Sequence, residues 1–527
     1  MTQQRFGSFW FKFLAGIAAA AVCDLALWGL DKTLERVGVL QLALLMAVML
    51  VRPEIRRDAR ALACFAGAAA MAFAMIVSPS ALAWCLYWVF AGMGAMMPAA
   101  ARFGDAWQWA QRLLLHALRS PFAPWLDARR WLRARRRHGG GQLRAALPQL
   151  VLPLLGSVVI LTLFASANPV IEAWADSLTY ASPSGELILR AILGLVWFTI
   201  AWSVLRPRMA RRLIGTFDGS GDVTLPGVTP ASVGLSLIAF NALFALQNAM
   251  DLAWLWHLAP LPRGMTLAEY AHRGAYPLIA TALLAAGFVL VALRPGSQTA
   301  DMPMVRRLVV LWIAQNVLLV GNAALRTMDY VAAYSLTSLR IAALLWMGLV
   351  ALGLVLVLWR MLREKSAAWL INTNAAAAMA LLSLVSFVDL DAVSARYNIA
   401  HARDLGGDGA PLDICYLQQI GSSALVPLAK LEGRPAPEPI HLWARMLREN
   451  AQVGVENDQA NGRWSLLGAM RLAQVRSQLR LAALAPRDHG WVDCRTRDAK
   501  ALQLALWAQQ ANPAAPLPAA LTEDAQP

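Results

Sequence analysis

The sequence predicts an all-α polytopic membrane protein, a bundle of about 11 transmembrane helices followed by a small α-helical domain. Three observations predict it. Hydrophobic residues make up 58% of the 527 and charged residues only 15%, which does not fit a soluble globular chain. Eleven apolar stretches precede residue 389, each near the roughly 20 residues that cross about 30 Å of hydrocarbon. The arginines between them gather on every second loop, as they do when Lys and Arg stay on the cytoplasmic side.

The first two spans cover about Phe11–Leu30 and Thr33–Val51, and the basic loop Arg52, Arg56, Arg57, Arg60 follows. The first is too long for a signal-peptide core and is expected to stay attached. The third and fourth, about Ala61–Ser78 and Ala81–Ala100, join through Ser78-Pro79-Ser80, where proline stops a helix. Residues 101–144 carry ten arginines against Asp105 and Asp127. Phe103, Trp107, Ala110, Leu114 and Leu118 form one apolar face, so this insert reads as an amphipathic cytoplasmic helix lying in the interface, or else as a long cytoplasmic loop. Its run Arg129–Arg137, with Trp131 inside it, is suited to anionic lipid headgroups.

The fifth span is about Ala145–Asn168. The loop after it carries Glu172, Asp176 and Glu186 and no basic residue, as an external loop should. The remaining spans are about Leu187–Leu205, Ala231–Ala253, Gly274–Leu293, Leu308–Leu325, Ile341–Trp359 and Trp369–Val388. An odd count with the N-terminus inside places the C-terminus outside. The bundle is thus 1–388. Residues 389–511 form the extracytoplasmic domain, with helical spacing at Ile440–Arg448 and Leu466–Leu484. Residues 512–527, rich in Pro and Ala, read as a disordered tail.

The net charge of +15 would suit nucleic acid, but its distribution excludes that partner. Residues 389–527 hold 14 basic and 15 acidic side chains. The excess lies in the short loops of the membrane part, where it sets topology. The preference for Arg over Lys reads as coding bias of a GC-rich bacterium, and the location as its inner membrane. Cys23, Cys64 and Cys85 fall in spans as small apolar packers. Cys415 and Cys494 sit in the external domain, where an oxidising compartment permits a disulfide between them.

Polar residues within spans are costly and mark function or helix pairing. At 100° per residue, Gln315, Asn322, Arg326 and Asp329 fall within roughly 60° of one another on the ninth span, over about 21 Å of helix. Asn241, Asn248 and Asp251 form a similar stripe on the seventh. Two stripes ending on the same side suggest facing walls of an outward cleft. The adjoining connections add Glu269, His272 and Arg273, then Tyr330, Tyr334 and Arg340. Arg326 and Asp329 stand at i, i+3 and can pair. Arginine on the outer side exceeds what topology needs, and its fork suits phosphate or carboxylate. The candidate ligand residues are therefore Asn248, Asp251, Glu269, His272, Arg273, Gln315, Asn322, Arg326, Asp329, Tyr330, Tyr334 and Arg340. The alternative is that Asn and Gln simply bond helix to helix and Arg and Asp satisfy each other.

These residues carry a resemblance. Thr266-Leu-Ala-Glu-Tyr-Ala-His-Arg-Gly-Ala-Tyr-Pro277, Asp329-Tyr-Val-Ala-Ala-Tyr-Ser-Leu-Thr-Ser-Leu-Arg340 and Asn248-Ala-Met-Asp-Leu252 resemble blocks of a bacterial membrane family, domain of unknown function 4173, with its sister group 4153. Ala395-Arg-Tyr-Asn-Ile-Ala400 and Leu412-Asp-Ile-Cys-Tyr-Leu417 are similar to its post-membrane region. The family often has Gly where Ser335 stands and Asn-Pro where Asp389-Leu390 stands. The resemblance implies the architecture and brings no activity.

No GxxxxGK[ST], HExxH, CxxC or GxSxG occurs, so no cofactor, metal or catalytic residue is expected. Gly406-Gly-Asp-Gly409 is a weak loop signal. Three functions remain open: a transporter or lipid-handling protein binding an anionic group in the cleft, a signalling or assembly component acting through its external domain, and a membrane-embedded enzyme with Glu269, His272 or Asp329 as acid or base.

Overall fold

The structure, a computed structural model, describes residues 2–27, 34–137, 185–210, 213–215, 229–255, 284, 287–288, 302–435, 438–461 and 463–479. Among these every regular element is helical. Six helices are long and apolar enough to cross a membrane: Ala59–Val77, Ala81–Ala99, Pro230–Ala253, Pro303–Tyr334, Ser338–Leu362 and Ala367–Val385. Arg36–Val51 and Leu189–Leu205 are shorter apolar helices. The expected fifth span lies outside the described residues, as does the eighth apart from residues 284, 287 and 288. The chain divides into two compact units, and the division falls within the membrane-helix region.

The first unit holds α1 (Thr2–Leu27), α2 (Leu34–Val51), α3 (Pro53–Arg56), most of α4 (Ala59–Val77) and α5 (Ala81–Met96), α7 (Ala123–Arg137) and α8 (Gly185–Leu205). α1 and α8 run antiparallel. Asp24 near the end of α1 accepts from Arg190 near the start of α8 at 2.7 Å. At the other end Phe9 and Phe13 pack on Trp202, with ring centroids 5.7 and 6.1 Å apart. Between them Gly16 admits Phe198 so closely that a Cβ would stand 2.9 Å from the ring. The ends of α2, α5 and α8 converge on Arg52. Its buried Nη1 donates to the Ala95 carbonyl at 2.8 Å and the Val204 carbonyl at 3.2 Å, and its Nε to Glu54 at 2.9 Å. A cation among three helix C-termini meets both their unpaired carbonyls and the negative ends of their dipoles.

The insert forms two helices, α6 (Ala106–Arg119) and α7, separated by a 3-10 turn at Ser120–Phe122 where Pro121 interrupts the hydrogen bonding. Phe103, Trp107, Leu114 and Leu118 are exposed, the disposition an interfacial helix needs.

The second unit contains α9 (Pro230–Leu255), α10 (Pro303–Tyr334), α11 (Ser338–Leu362) and α12 (Ala367–Val385), packed around Leu237, Val309, Trp312, Ile313, Leu354 and Leu370. In a membrane, where lipid is as apolar as these side chains, their gain is close packing rather than removal from water. The outward faces stay apolar, with Leu339, Trp346 and Val355 exposed. After α12 come α13 (Leu390–His401), α14 (Ile414–Gln419), α15 (Leu425–Glu432), α16 (Glu438–Ala460) and α17 (Leu466–Leu479). Their core unites Ala395, Ile399, Leu417, Leu428, Leu431 and Leu447. Cys415 is disulfide-bonded. Cys23, Cys64 and Cys85 are free thiols, and Cys494 lies outside the described residues.

Asp389 is the hinge pin of this helical domain. It caps α13 by accepting from the Ala392 N–H at 3.0 Å, takes the Ser423 hydroxyl at 2.8 Å and is salt-bridged by Arg471 of α17. Burial pushes its carboxyl upward, but Arg471 and the two hydrogen bonds outweigh this and hold it below the ordinary carboxylate range. A depressed folded value stabilises above the unfolded one and is lost as pH falls through the folded one. Thermal unfolding of the domain should therefore become acid-sensitive below about pH 4. Asp389→Asn should melt lower at neutral pH and show a flatter acid dependence; equal slopes would refute the assignment.

Candidate functional site

The polar stripes of α9 and α10 face each other, and they are joined rung by rung. Gln315 donates its Nε2 to Asn241 Oδ1 at 2.8 Å, Asn322 its Nδ2 to Asn248 Oδ1 at 3.2 Å, and Arg326 its Nη2 to Asp251 Oδ2 at 3.4 Å. The sequence separations are 74, 74 and 75 residues. A nearly constant offset means the two helices run parallel. The first two rungs recur every seven residues, the interval at which parallel helices keep the same seam in contact.

Backbone carbonyls take the spare amide N–H groups of two rungs, while Gln315 Oε1 stays buried without a partner among the described residues. Asn241 Nδ2 reaches the Leu237 and Leu308 carbonyls at 2.8 and 3.0 Å, and Asn248 Nδ2 reaches that of Gln315 at 3.1 Å. Gln247 adds a 3.1 Å bond to Asp251 Oδ1. Asp251 is 1% exposed, Asn322 1% and Arg326 7%. In this conformation the facing walls touch directly. In hydrocarbon this is what polar side chains require, because an unmet donor or acceptor there finds no water.

The structure thus brings together Asn248, Asp251, Gln315, Asn322 and Arg326. Arg326 makes its ion pair across to Asp251 on α9, where the sequence offered its neighbour Asp329, which is exposed. Tyr330, Tyr334 and Arg340 form a second group at the end of α10. The two rings lie 5.0 Å apart, Arg340 stands 4.1 Å over the Tyr330 ring, and its Nη1 donates to the carbonyls of Tyr334 (2.7 Å) and Ser335. Glu269, His272 and Arg273 lie outside the described residues.

A cleft of about 280 Å³ opens beside this end of α10, lined among others by Ser335, Tyr397, Asn398, His401 and Asp408. It joins α10 to the C-terminal helical domain. Asn398 clasps Leu336, accepting from its N–H at 2.7 Å and donating to its carbonyl at 2.8 Å. Tyr416 accepts from the Ser338 N–H at 3.1 Å. The glycine loop forms one wall, because a Cβ on Gly407 or Gly409 would stand 2.4 or 2.7 Å from the His401 carbonyl oxygen. Tyr397 stacks on His401 at 4.1 Å. Sequence reasoning passed over these residues, although Tyr397 and Asn398 lay within a matched block and Asp408 within the noted glycine loop. Among the described residues no three His, Cys, Asp or Glu side chains converge to hold a metal ion.

Two outcomes test this geometry. Removing one partner of a buried pair strands the other, so Arg326→Ala should cost about 3 kcal/mol of stability, read as a lowered melting temperature. The double variant Asp251→Asn/Arg326→Gln should recover much of it. Ser335 has φ 68 and ψ 164, a region nearly reserved for glycine. Its glycine variant should be more stable by about 1 kcal/mol, although it loses a 3.5 Å contact to the Pro411 carbonyl.

A family model, domain of unknown function 4153, matches residues 63–431, which takes in the seam and the cleft. The resemblance in the sequence is to 4173 first, with 4153 beside it, and the match is to 4153. No curated protein and no solved structure matches the chain.

Proposed function

We propose that this chain, which belongs to the domain of unknown function 4153 family, is an eleven-span protein of a bacterial inner membrane that works through its external helical domain. The parallel rungs between α9 and α10 support the span count. Two membrane-crossing helices that run the same way need an odd number of crossings between them, and the apolar run at about 274–293 is the one available. The meeting of the α2, α5 and α8 ends at Arg52 supports alternation, since even-numbered spans then finish on one basic side. That side is read as cytoplasmic and the α13–α17 domain as external.

One observation carries the functional reading: the cleft at the end of α10 is walled by both that helix and the C-terminal helical domain. A ligand or partner segment bound there touches both at once. Asn398 ties the walls through backbone bonds, so occupancy would be felt at α10 and α11. The lining offers Asp408, Asn398 and hydroxyl groups and suits hydrogen-bond donors or a positive charge better than an anion. Signalling or assembly is therefore placed ahead of anion transport. The transport reading keeps one support, the buried polar seam, which would wall a path if α9 and α10 parted.

The test uses a deletion strain complemented with variants under envelope stress. Asp408→Asn and His401→Ala should behave as the deletion at normal protein level, while Asp251→Asn/Arg326→Gln complements. Complementation by the cleft variants would overturn the reading. An impermeant thiol reagent on intact cells should label Asp408→Cys but not Arg56→Cys; the reverse would invert the topology.

A further inference from the structure

The first unit carries a second cavity, of about 320 Å³, that the outer cleft does not involve. It lies where Lys12 of α1, Arg52 after α2, Arg130 of α7 and the Arg206-Pro-Arg208 segment after α8 converge. Five cations (Lys12, Arg52, Arg130, Arg206, Arg208) line it with two carboxylates (Glu54, Asp127), a formal excess of three. Both carboxylates are engaged. Glu54 receives Arg52, and buried Asp127 receives Arg208, the Trp202 indole at 3.1 Å and Arg206 at 3.9 Å. Among the described residues Lys12 and Arg130 have no hydrogen-bonded or ion-paired partner.

Loop arginines that only set topology remain in water. These do not. Arg52 is buried, Lys12 and Arg206 are half-buried, and the Arg206 guanidinium stands 5.1 and 5.6 Å over the rings of Phe9 and Trp202. Burial first, and then the charge of Arg130, lower the Arg206 pKa. Like charges drawn into one concave site repel at close range, and an anion relieves them. Arg and Lys together offer the fork and the point charge by which phosphate is held. The same helix that supplies Arg130 exposes Trp125, and Trp131 packs on Phe9 and Trp10 at its start, which fixes α7 beside α1.

We infer that this cavity binds a phosphate group, with Lys12, Arg130 and Arg206 as its contacts and Arg52 and Asp127 as the residues that position them. The group can come from an anionic phospholipid headgroup or from a free phosphate, and the experiment separates the two.

The full chain would be placed in phosphatidylcholine nanodiscs. Retention of phosphatidylglycerol would be followed by native mass spectrometry, and inorganic phosphate titrated by tryptophan fluorescence. Preferential retention of phosphatidylglycerol assigns a lipid source, and saturable quenching by phosphate alone assigns a soluble one. In either case Lys12→Gln/Arg130→Gln should weaken binding by roughly tenfold or more, while Arg445→Gln, an exposed site elsewhere, leaves it unchanged. If the double variant does not fold, single Arg130→Gln, on an exposed residue, decides by the same readout. Equal retention of both lipids with no phosphate response overturns the proposal, as does a folded variant that binds like the wild type.

Discussion

Hydrocarbon supplies no hydrogen-bond partner, so a polar side chain placed in it gains by finding one within the protein. That constraint organises the described helices. Asn241, Asn248 and Asp251 on α9 meet Gln315, Asn322 and Arg326 on α10 at a fixed offset. The polar groups fix the register that apolar packing alone would leave free to slide. Asp24 with Arg190, and Arg52 with the Ala95 and Val204 carbonyls, solve the same problem in the first unit. A charge set against helix-end carbonyls also satisfies backbone groups that no helix can satisfy for itself.

From the seam the constraint passes outward to the turn after α10. Ser335 holds an unfavourable backbone conformation because its neighbours dictate it: Arg340 binds its carbonyl, and Asn398 takes both backbone groups of Leu336. Strain of this kind persists only where the surroundings over-determine it. The places where the resemblance implies Gly and Asn-Pro, Ser335 and Asp389-Leu390, gain a physical account. Glycine fits the Ser335 backbone without strain. Asp389 is the N-cap of α13 and Leu390 its first residue, the places for which Asn and Pro are favoured.

Anion recognition depends on which guanidinium groups lack a counter-charge, and abundance is a poor guide to that. Arg326 is neutralised by Asp251, and Arg340 serves carbonyls and a tyrosine ring. The group around Lys12, Arg130 and Arg206 keeps a positive excess in a concave, partly dry place, where charge interactions are stronger than in water.

Hydropathy, the alternation of basic loops and the angular spacing of polar residues are properties of single helices or of neighbouring loops. For that reason the all-helical class, six of the apolar spans and both polar stripes were legible along the chain, as was the helicity at Ile440–Arg448 and over the described part of Leu466–Leu484. The stripes' residue types did not reveal whether they faced water or each other. Only tertiary structure decided that α9 and α10 run parallel, that Arg326 takes Asp251, and that Asn398 clasps Leu336 across 62 residues of sequence. The cleft and the basic cavity were hidden for the same reason. Each is assembled from segments far apart in the chain, and no periodicity within one segment encodes the distance to another.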